Sequence, residues 1–388
     1  GADHKAVETD AGIPVIGSGG PFTFASNFLY DGESVLLGRK GTIDKPLHVV
    51  GKFWTVDTMY WSKILPGTYG KFAYYVALTI PFAYYSTNTA LPSMTKGVLG
   101  AHLVASPPFD EQTKLASFLD RETAKIDALI SEQEKLIALL AEKRQATISH
   151  AVTRGLNPDA PMKDSGADWV GEVPAHWQLI RIKFVVRSVE QGWSPQCENF
   201  PVESQDECGV LKVGCVNGGL FRPSENKKLP PELEPQPAYA LKQGDLLISR
   251  ANTRELVGST AVVRSDFDNL MLCDKLYRLR LVESKCSPMF AAAYLGTPEA
   301  RSQIELDATG ASSSMLNIGQ SVIMDMVIPL PDIEEQRVIT EFIDVESARL
   351  DALTGGSKRA VELLKEHRSA LITAAVTGQI DVRGLADS

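Results

Sequence analysis

The sequence predicts an α+β fold: two globular mixed α/β domains separated by two long coiled-coil-like helices that pack together, in a pseudo-twofold internal repeat. Three observations predict it. Residues 107–153 align on residues 331–377 without a gap, at a constant offset of 224 positions, and about 40% of the aligned positions are identical, which marks a duplication. Both copies space their apolar residues by threes and fours, as a helix with one apolar stripe does. The stretches ahead of each copy match more faintly, and alternate β-branched and aromatic residues between Gly-rich turns, as curved antiparallel strands do.

The first domain spans residues 1–106. Its "GIPVIGSGG" at 12–20 corresponds to "GVLKVGCVNGG" at 209–219, and "DGESVLLGRKGTI" at 31–43 to "QGDLLISRANTREL" at 243–256. Further on, "FWTVDTMYWSKI" at 53–64 corresponds to "NLMLCDKLYRLRL" at 269–281, and "LPSMTKGVLGAHLVASPP" at 91–108 to "SSSMLNIGQSVIMDMVIPLP" at 312–331. The tyrosines of "KFAYYVAL" read as part of a buried helix or strand. The first spacer helix spans 107–156, with the stripe Ile126, Leu129, Gln133, Leu136 and Leu140, and stops at Gly155 and Asn157-Pro158.

The second domain follows at 157–330, and the second spacer helix with its C-terminal tail at 331–388. Here the stripe is Leu350, Leu353, Ser357, Ala360, Leu364 and Leu371, and Asp332 with Glu335 is a candidate capping box. Identical pairs include Glu111/Glu335, Gln112/Gln336, Phe118/Phe342, Asp127/Asp351, Leu139/Leu363 and Arg144/Arg368. At about 1.5 Å per residue, helices of about 40 residues are roughly 60 Å long, and neither can satisfy its own stripe. Gly355-Gly356 should weaken or kink the second copy, at about 1 kcal/mol each relative to alanine. The second domain has a lead-in at 162–195, "MKDSGADWVGEVPAHWQLIRIKFVVRSVEQGWSP", with no counterpart ahead of "GIPVIG". The expectation is a first domain shortened at its N-terminus, by processing (the chain starts with Gly rather than Met) or because this variant does without that part.

Composition excludes several classes. A chain of 388 residues with 44% hydrophobic and 22% charged residues is a soluble protein with room for two or three cores. No apolar run approaches a membrane span, and "GADHKAVETD" has no signal-peptide pattern, so no membrane role and a cytoplasmic location are expected. The five cysteines form no CxxC and read as reduced thiols, and the six histidines show no ligand spacing, so no metal is expected. The net charge of -9 argues at first against a polyanionic partner. Residues 1–105, however, carry 8 basic and 7 acidic side chains, so the acidic excess lies later and leaves local basic clusters.

The segments "MKDSGADWVGEVPAHW", "GDLLISRANT", "SSSMLNIGQ" and "IPLPDIEEQRVITEFID", followed by a heptad helix, resemble the specificity subunit of a type I restriction–modification enzyme, over essentially the whole chain. The resemblance implies two target-recognition domains that each read half of a bipartite double-stranded DNA site. It implies an antiparallel helical spacer that docks two methyltransferase (modification) subunits, with restriction/translocase subunits joining them. It also implies no catalytic site in this chain and no cofactor of its own, S-adenosylmethionine and ATP belonging to the partner subunits. Where this sequence departs from the family, in the lead-in to the first domain, DNA binding by that half is in question.

Loops carrying Arg, Lys, Asn and Ser after strands are the candidate DNA contacts, since Arg or Lys suits guanine edges, Asn suits adenine, and the rest hold phosphates. In the first domain these are Arg39, Lys40, Lys45, Ser93 and Lys96. In the second they are Asn217, Arg222, Lys227, Lys228, Arg250, Asn252, Arg254, Ser312, Ser313 and Ser314. Arg39 with Arg250, and Ser93 with Ser314, fall in corresponding loops. Two rival readings exist. "SPPF" at 106–109 with "VIGSGG" at 15–20 fits an S-adenosylmethionine-dependent adenine-N6 DNA methyltransferase, but the Gly loop runs into "PFTFASNF" and the second copy has "IPLP" in place of "SPPF". The other is a coiled-coil scaffold that makes no DNA contact.

Overall fold

A computed structural model describes residues 1–86, 92–312 and 315–382 of the chain. The chain divides into two compact units, one of residues 1–137 and 355–388, the other of residues 138–354. Each unit therefore combines one globular region with one end of each long helix.

In the first unit, strands β1 (Glu8–Thr9), β2 (Ile13–Gly17), β3 (Gly20–Ala25), β4 (Tyr30–Gly38), β5 (Leu47–Thr55) and β6 (Met59–Trp61) form one sheet in the order β1-β3-β2-β5-β4-β6. Strands β2 and β5 run parallel, with Val15 opposite Trp54, and every other pair is antiparallel. The inner face buries Ile16, Leu36, Phe53 and Met59. Helices α1 (Gly70–Leu78), α2 (Phe82–Tyr85) and α3 (Lys96–Gly100) precede the long helix α4 (Phe109–Arg154). The "KFAYYVAL" segment is α1. Its Tyr75 is buried, and the hydroxyl donates to Asp120 on α4 at 2.6 Å.

In the second unit the lead-in folds as β7 (Met162–Asp164), β8 (Glu172–Pro174), β9 (Gln178–Arg181) and β10 (Val186–Gln191). The body follows with β11 (Gly209–Leu211), β12 (Asn226–Lys228), β13 (Ala240–Leu241), β14 (Leu246–Ser249), β15 (Ala251–Asn252), β16 (Thr260–Val262), β17 (Phe267–Met271) and β18 (Leu276–Leu281). Then come α5 (Pro288–Leu295), α6 (Pro298–Leu306), β19 (Thr309–Ser312), β20 (Met315–Asn317), α7 (Gln320–Met324), β21 (Val327–Leu330) and the second long helix α8 (Ile333–Val376). The plan of the first unit recurs. Strands β11 and β17 are the parallel pair, and β14 lies antiparallel to β18 with Ile248 opposite Tyr277, as Leu37 lies opposite Tyr60.

The two long helices run antiparallel within each unit. In the first, Leu115, Ala116 and Leu119 of α4 share a core with Ile372, Ala375 and Val376 of α8, and Arg368 donates to Asp127 at 2.8 Å. In the second, Arg144 donates to Asp351 at 2.6 Å. These are the same two repeat positions with the helices exchanged, so the identity of both pairs has a physical cause. Gln112 and Gln336, both buried, form a second such pair. Gln112 accepts from the backbone N–H of Tyr69 at the N-terminus of α1 and donates to the carbonyls of Gly67 and Pro107. Gln336 accepts from the N–H of Ser287 at the N-terminus of α5 and donates to the carbonyls of Lys285 and Pro331. Each glutamine ties the start of a long helix to the start of a domain helix, and satisfies a backbone N–H that α1 or α5 leaves unpaired.

Three expectations are corrected. Leu129, Leu136 and Leu353 are not buried in the seam: they are 53%, 41% and 50% exposed, Leu129 lining an open groove beside Ile126, Leu364 and Leu371. Ile126, Leu140 and Leu350 are buried and Leu364 and Leu371 half-buried, so the seven-residue period stands. Between these positions the stripe steps by four and then three, through the half-buried Ile130 and Ile137 rather than Leu129 and Leu136, and through the half-buried Thr354 rather than Leu353 and the buried Val361 beside the half-buried Ala360. A 3-4 and a 4-3 stripe share every seventh residue, and the 3.6-residue turn allows either. Helix α8 runs unbroken through Gly355-Gly356. Asp332 caps α8 by accepting from the Glu335 N–H at 2.9 Å, but the Glu335 carboxylate accepts from His176 instead of closing the box. Ahead of this helix, β21 ends at Leu330, next to Pro331. The first helix stops as expected, with Gly155 in the left-handed region at φ 73°.

Candidate nucleic-acid interface

Strand β4 ends at Gly38 and strand β14 at Ser249, and the next residue in each is an arginine, Arg39 or Arg250. The two are seated in the same way. The backbone N–H of Arg39 donates to the Thr58 carbonyl at 2.8 Å, and that of Arg250 to the Lys275 carbonyl at 2.8 Å. Their carbonyls accept from Met94 at 2.9 Å and from Ile318 at 3.0 Å. One guanidinium nitrogen of each donates to an aspartate carbonyl, Asp57 at 3.1 Å or Asp274 at 3.3 Å. Behind the seat, the Tyr60 hydroxyl donates to the Met94 carbonyl and the Tyr277 hydroxyl to the Ile318 carbonyl, each at 3.0 Å. A guanidinium has five N–H donors. This seat uses one and tethers the group at that nitrogen, leaving the others for a ligand, which is what bidentate recognition of a base edge or phosphate needs.

The sequence shows a signal for this seat that spacing alone could have raised: Asp57 and Tyr60, like Asp274 and Tyr277, stand as D-x-x-Y in the corresponding segments. It also shows a pairing that is wrong. Lys40 bridges Ser93, and the matching contact is Ala251 with Asn317. The counterpart of Ser93 is therefore Asn317, at the helix offset of 224, and not Ser314. Ser313 and Ser314 lie outside the described residues, and Ser312 ends β19.

The other candidates fall into groups. Around Arg39, the exposed Lys40 is joined to Ser93, and the Gly41 N–H donates to the Pro92 carbonyl at 2.9 Å. Lys96 opens α3 beyond the Thr95 cap, also exposed. Lys45 is exposed in the loop before β5. Around Arg250, Asn252 approaches Asn217 at 3.5 Å, and the Arg222 N–H donates to the Cys215 carbonyl across the Gly218-Gly219 turn. Asn217, Arg222, Arg250 and Asn252 thus belong to one neighbourhood, with Arg254 exposed in the turn that follows. Lys227 and Lys228 lie apart on β12. Lys228 donates to Glu207 at 2.7 Å, and that carboxylate raises the lysine pKa. A lysine so paired is a poorer phosphate ligand than its neighbours.

The methyltransferase reading meets two obstacles. The "VIGSGG" segment is the β2–β3 hairpin, with Gly17 opposite Gly20, and opens no helix. In "SPPF", the Pro107 carbonyl that would hold a target amine accepts from Gln112 at 2.8 Å. Among the described residues no group of His, Cys, Asp or Glu could hold a metal ion, and no helix is long and apolar enough to cross a membrane. The five cysteines carry no disulfide, and burial pushes the Cys273 thiol, beside Asp274, up to about 12.

No protein-family model matches the chain. It is 26% identical over 242 residues to the type I restriction enzyme EcoEI specificity subunit of Escherichia coli, covering 62% of this chain and 40% of that protein. It is 23% identical over 371 residues to the type I restriction enzyme MjaVIII specificity subunit of Methanocaldococcus jannaschii, covering 92% of this chain and 79% of that one. The chain thus spans well under half the length of the first relative and most of the second. Among solved structures, a chain from work on complex assembly and conformational transition of the type I R-M system superposes with a TM-score of 0.65 at 18% identity, covering 96% of this chain and 95% of that one. The HsdS subunit from Thermoanaerobacter tengcongensis gives a TM-score of 0.52 at 15% identity, over 96% and 94% of the two chains.

Proposed function

We propose a function from one premise: this chain belongs to the specificity subunits of type I restriction enzymes. It reads a bipartite double-stranded DNA site, one half with each globular domain, and the two spacer helices set the gap between the halves. It acts in the cytoplasm without catalysing a reaction, supplying the address to two methyltransferase subunits and to restriction subunits, which bring S-adenosylmethionine and ATP chemistry. The observation that carries this reading is the duplicated arginine seat at Arg39 and Arg250, because two half-sites of one duplex need two equivalent readers. The repeat supports two equal partners in the same way. Leu129 and Leu353, and likewise Leu139 and Leu363, are equivalent positions on α4 and α8 that stay more than half exposed or nearly so, and apolar side chains kept exposed in both copies suit a docking face.

The test is co-purification with a methyltransferase subunit, then genome-wide mapping of methylated adenines. A two-part motif with a fixed gap is expected, and log affinity for that duplex should fall steeply with log salt through phosphate contacts. Affinity indifferent to both sequence and salt would overturn this reading, and no binding to any duplex would favour the coiled-coil scaffold.

A further inference from the structure

The two domain helices that the glutamines clamp, α1 and α5, begin alike and then diverge. Counted from the clamped N–H of Tyr69 or Ser287, Phe72-Ala73 falls on Phe290-Ala291, and both phenylalanines are buried. The next two residues are Tyr74-Tyr75 in α1 and Ala292-Ala293 in α5. In the first unit Tyr75 is buried in a core with Leu119 of α4 and Ile372 of α8. Its hydroxyl donates to Asp120 at 2.6 Å and lies 3.3 Å from the Thr123 hydroxyl. At the offset of 224, the counterparts of Leu119, Ile372, Asp120 and Thr123 are Ile343, Ile148, Asp344 and Ser347. All four, with Ala292 and Ala293, line a cleft of about 810 Å³ in the second unit. The cleft thus stands where the first unit keeps a tyrosine ring.

We propose that this cleft binds a small molecule ending in a phenol, seated as the Tyr75 side chain is in the first unit. Two alanines in place of two tyrosines remove two rings, and a packed interior closes only in part over such a loss. Pockets of roughly 300–1,000 Å³ with apolar walls and a few placed polar groups are those that hold small organic ligands. The walls keep what the phenol needs. The position that accepts the Tyr75 hydroxyl is an aspartate in both units, and the position of Thr123 keeps a hydroxyl as Ser347. Each aspartate also stands beside one cation, Lys71 at 3.1 Å from Asp120 and Arg264 at 3.1 Å from Asp344. The inference concerns a ligand of the second unit alone and goes beyond the DNA reading above, which it does not need.

The repeat also supplies an internal control. The probe is p-cresol, the tyrosine side chain as a free molecule, titrated into the full chain and followed by NMR of alanine and isoleucine methyl groups. One molecule per chain should bind, with shifts at Ala292, Ala293, Ile148 and Ile343. Toluene, which lacks the hydroxyl, should bind about tenfold more weakly through the lost bond to a charged acceptor, and Asp344→Ala should remove that preference. Ala293→Tyr, which copies the first unit, should fill the cleft and abolish binding. Tyr75→Ala, which copies the second, should add another site with shifts at Ile372; should that variant not fold, Ala293→Tyr decides alone. No shift at the cleft methyls, equal affinity for toluene, or full binding by Ala293→Tyr would overturn the proposal. A tyrosine-bearing tripeptide with blocked ends that binds more tightly than p-cresol would assign the site to a tyrosine of a partner protein and overturn the small molecule.

Discussion

Arg250 is held by backbone on both sides and its guanidinium is tethered at one nitrogen by the Asp274 carbonyl, which leaves its remaining donors available near a set position. A side chain so tethered gains more from a matched acceptor pair than a mobile one does. Arg250→Ala is therefore expected to relax base preference at one position of the second half-site, by about 1–3 kcal/mol of discrimination, and to leave the first half-site unchanged. Binding measured on a panel of single-base variants checks this, and an even loss on all sequences would make Arg250 a phosphate contact. The arginines were legible because each follows a corresponding strand. The seat was less so: Ser93 looks like Ser314 by its "SM" neighbours, yet Asn317 takes its place. Which residue faces a bridge depends on the length of the intervening turn, and that is set in three dimensions rather than by local resemblance.

At the scale of the element, the long helices carry two kinds of repeated contact that differ in worth. The pairs Arg368–Asp127 and Arg144–Asp351 are partly solvated, and exposed ion pairs contribute about 0–1 kcal/mol. The glutamine clamps are buried, and each satisfies one N–H and two carbonyls. Gln336→Leu would leave the Ser287 N–H and the Lys285 and Pro331 carbonyls without their partner. With unsatisfied buried groups costing about 1–3 kcal/mol, a loss of about 3 kcal/mol in denaturant unfolding is expected, and Gln112→Leu should cost the first unit a like amount. The stripe gives a second test. Ile126→Ala should cost about 2–4 kcal/mol, as truncation of a buried aliphatic does, and Leu129→Lys should stay within about 0.5 kcal/mol of the parent. The sequence made the helices legible over nearly their full length, because duplication and period reinforce each other. The face was not settled by period alone, since Leu129 and Ile130 are adjacent apolar residues and only the partner helix chooses between them.

For the whole molecule, the division of labour follows from what the repeat preserved. The helices are matched without a gap, as are their clamps and ion pairs, whereas the domain bodies share strand plan and arginine seat but little sequence around them. A net charge of -9 gives no long-range attraction to DNA, so recognition of the kind proposed would rest on local groups within each body. The address is then separable from the frame. Replacing residues 157–330 with the corresponding segment of the Methanocaldococcus jannaschii relative, while keeping residues 107–156 and 331–388, should alter one half of the methylation motif only. The other half and the number of bases between them should stay as in the parent, because both helices and the Arg39 seat are untouched. Mapping of methylated adenines with the parent and the exchanged chain reads both features at once. A change in both halves, or in the gap, would show that the domain bodies rather than the helices fix the spacing.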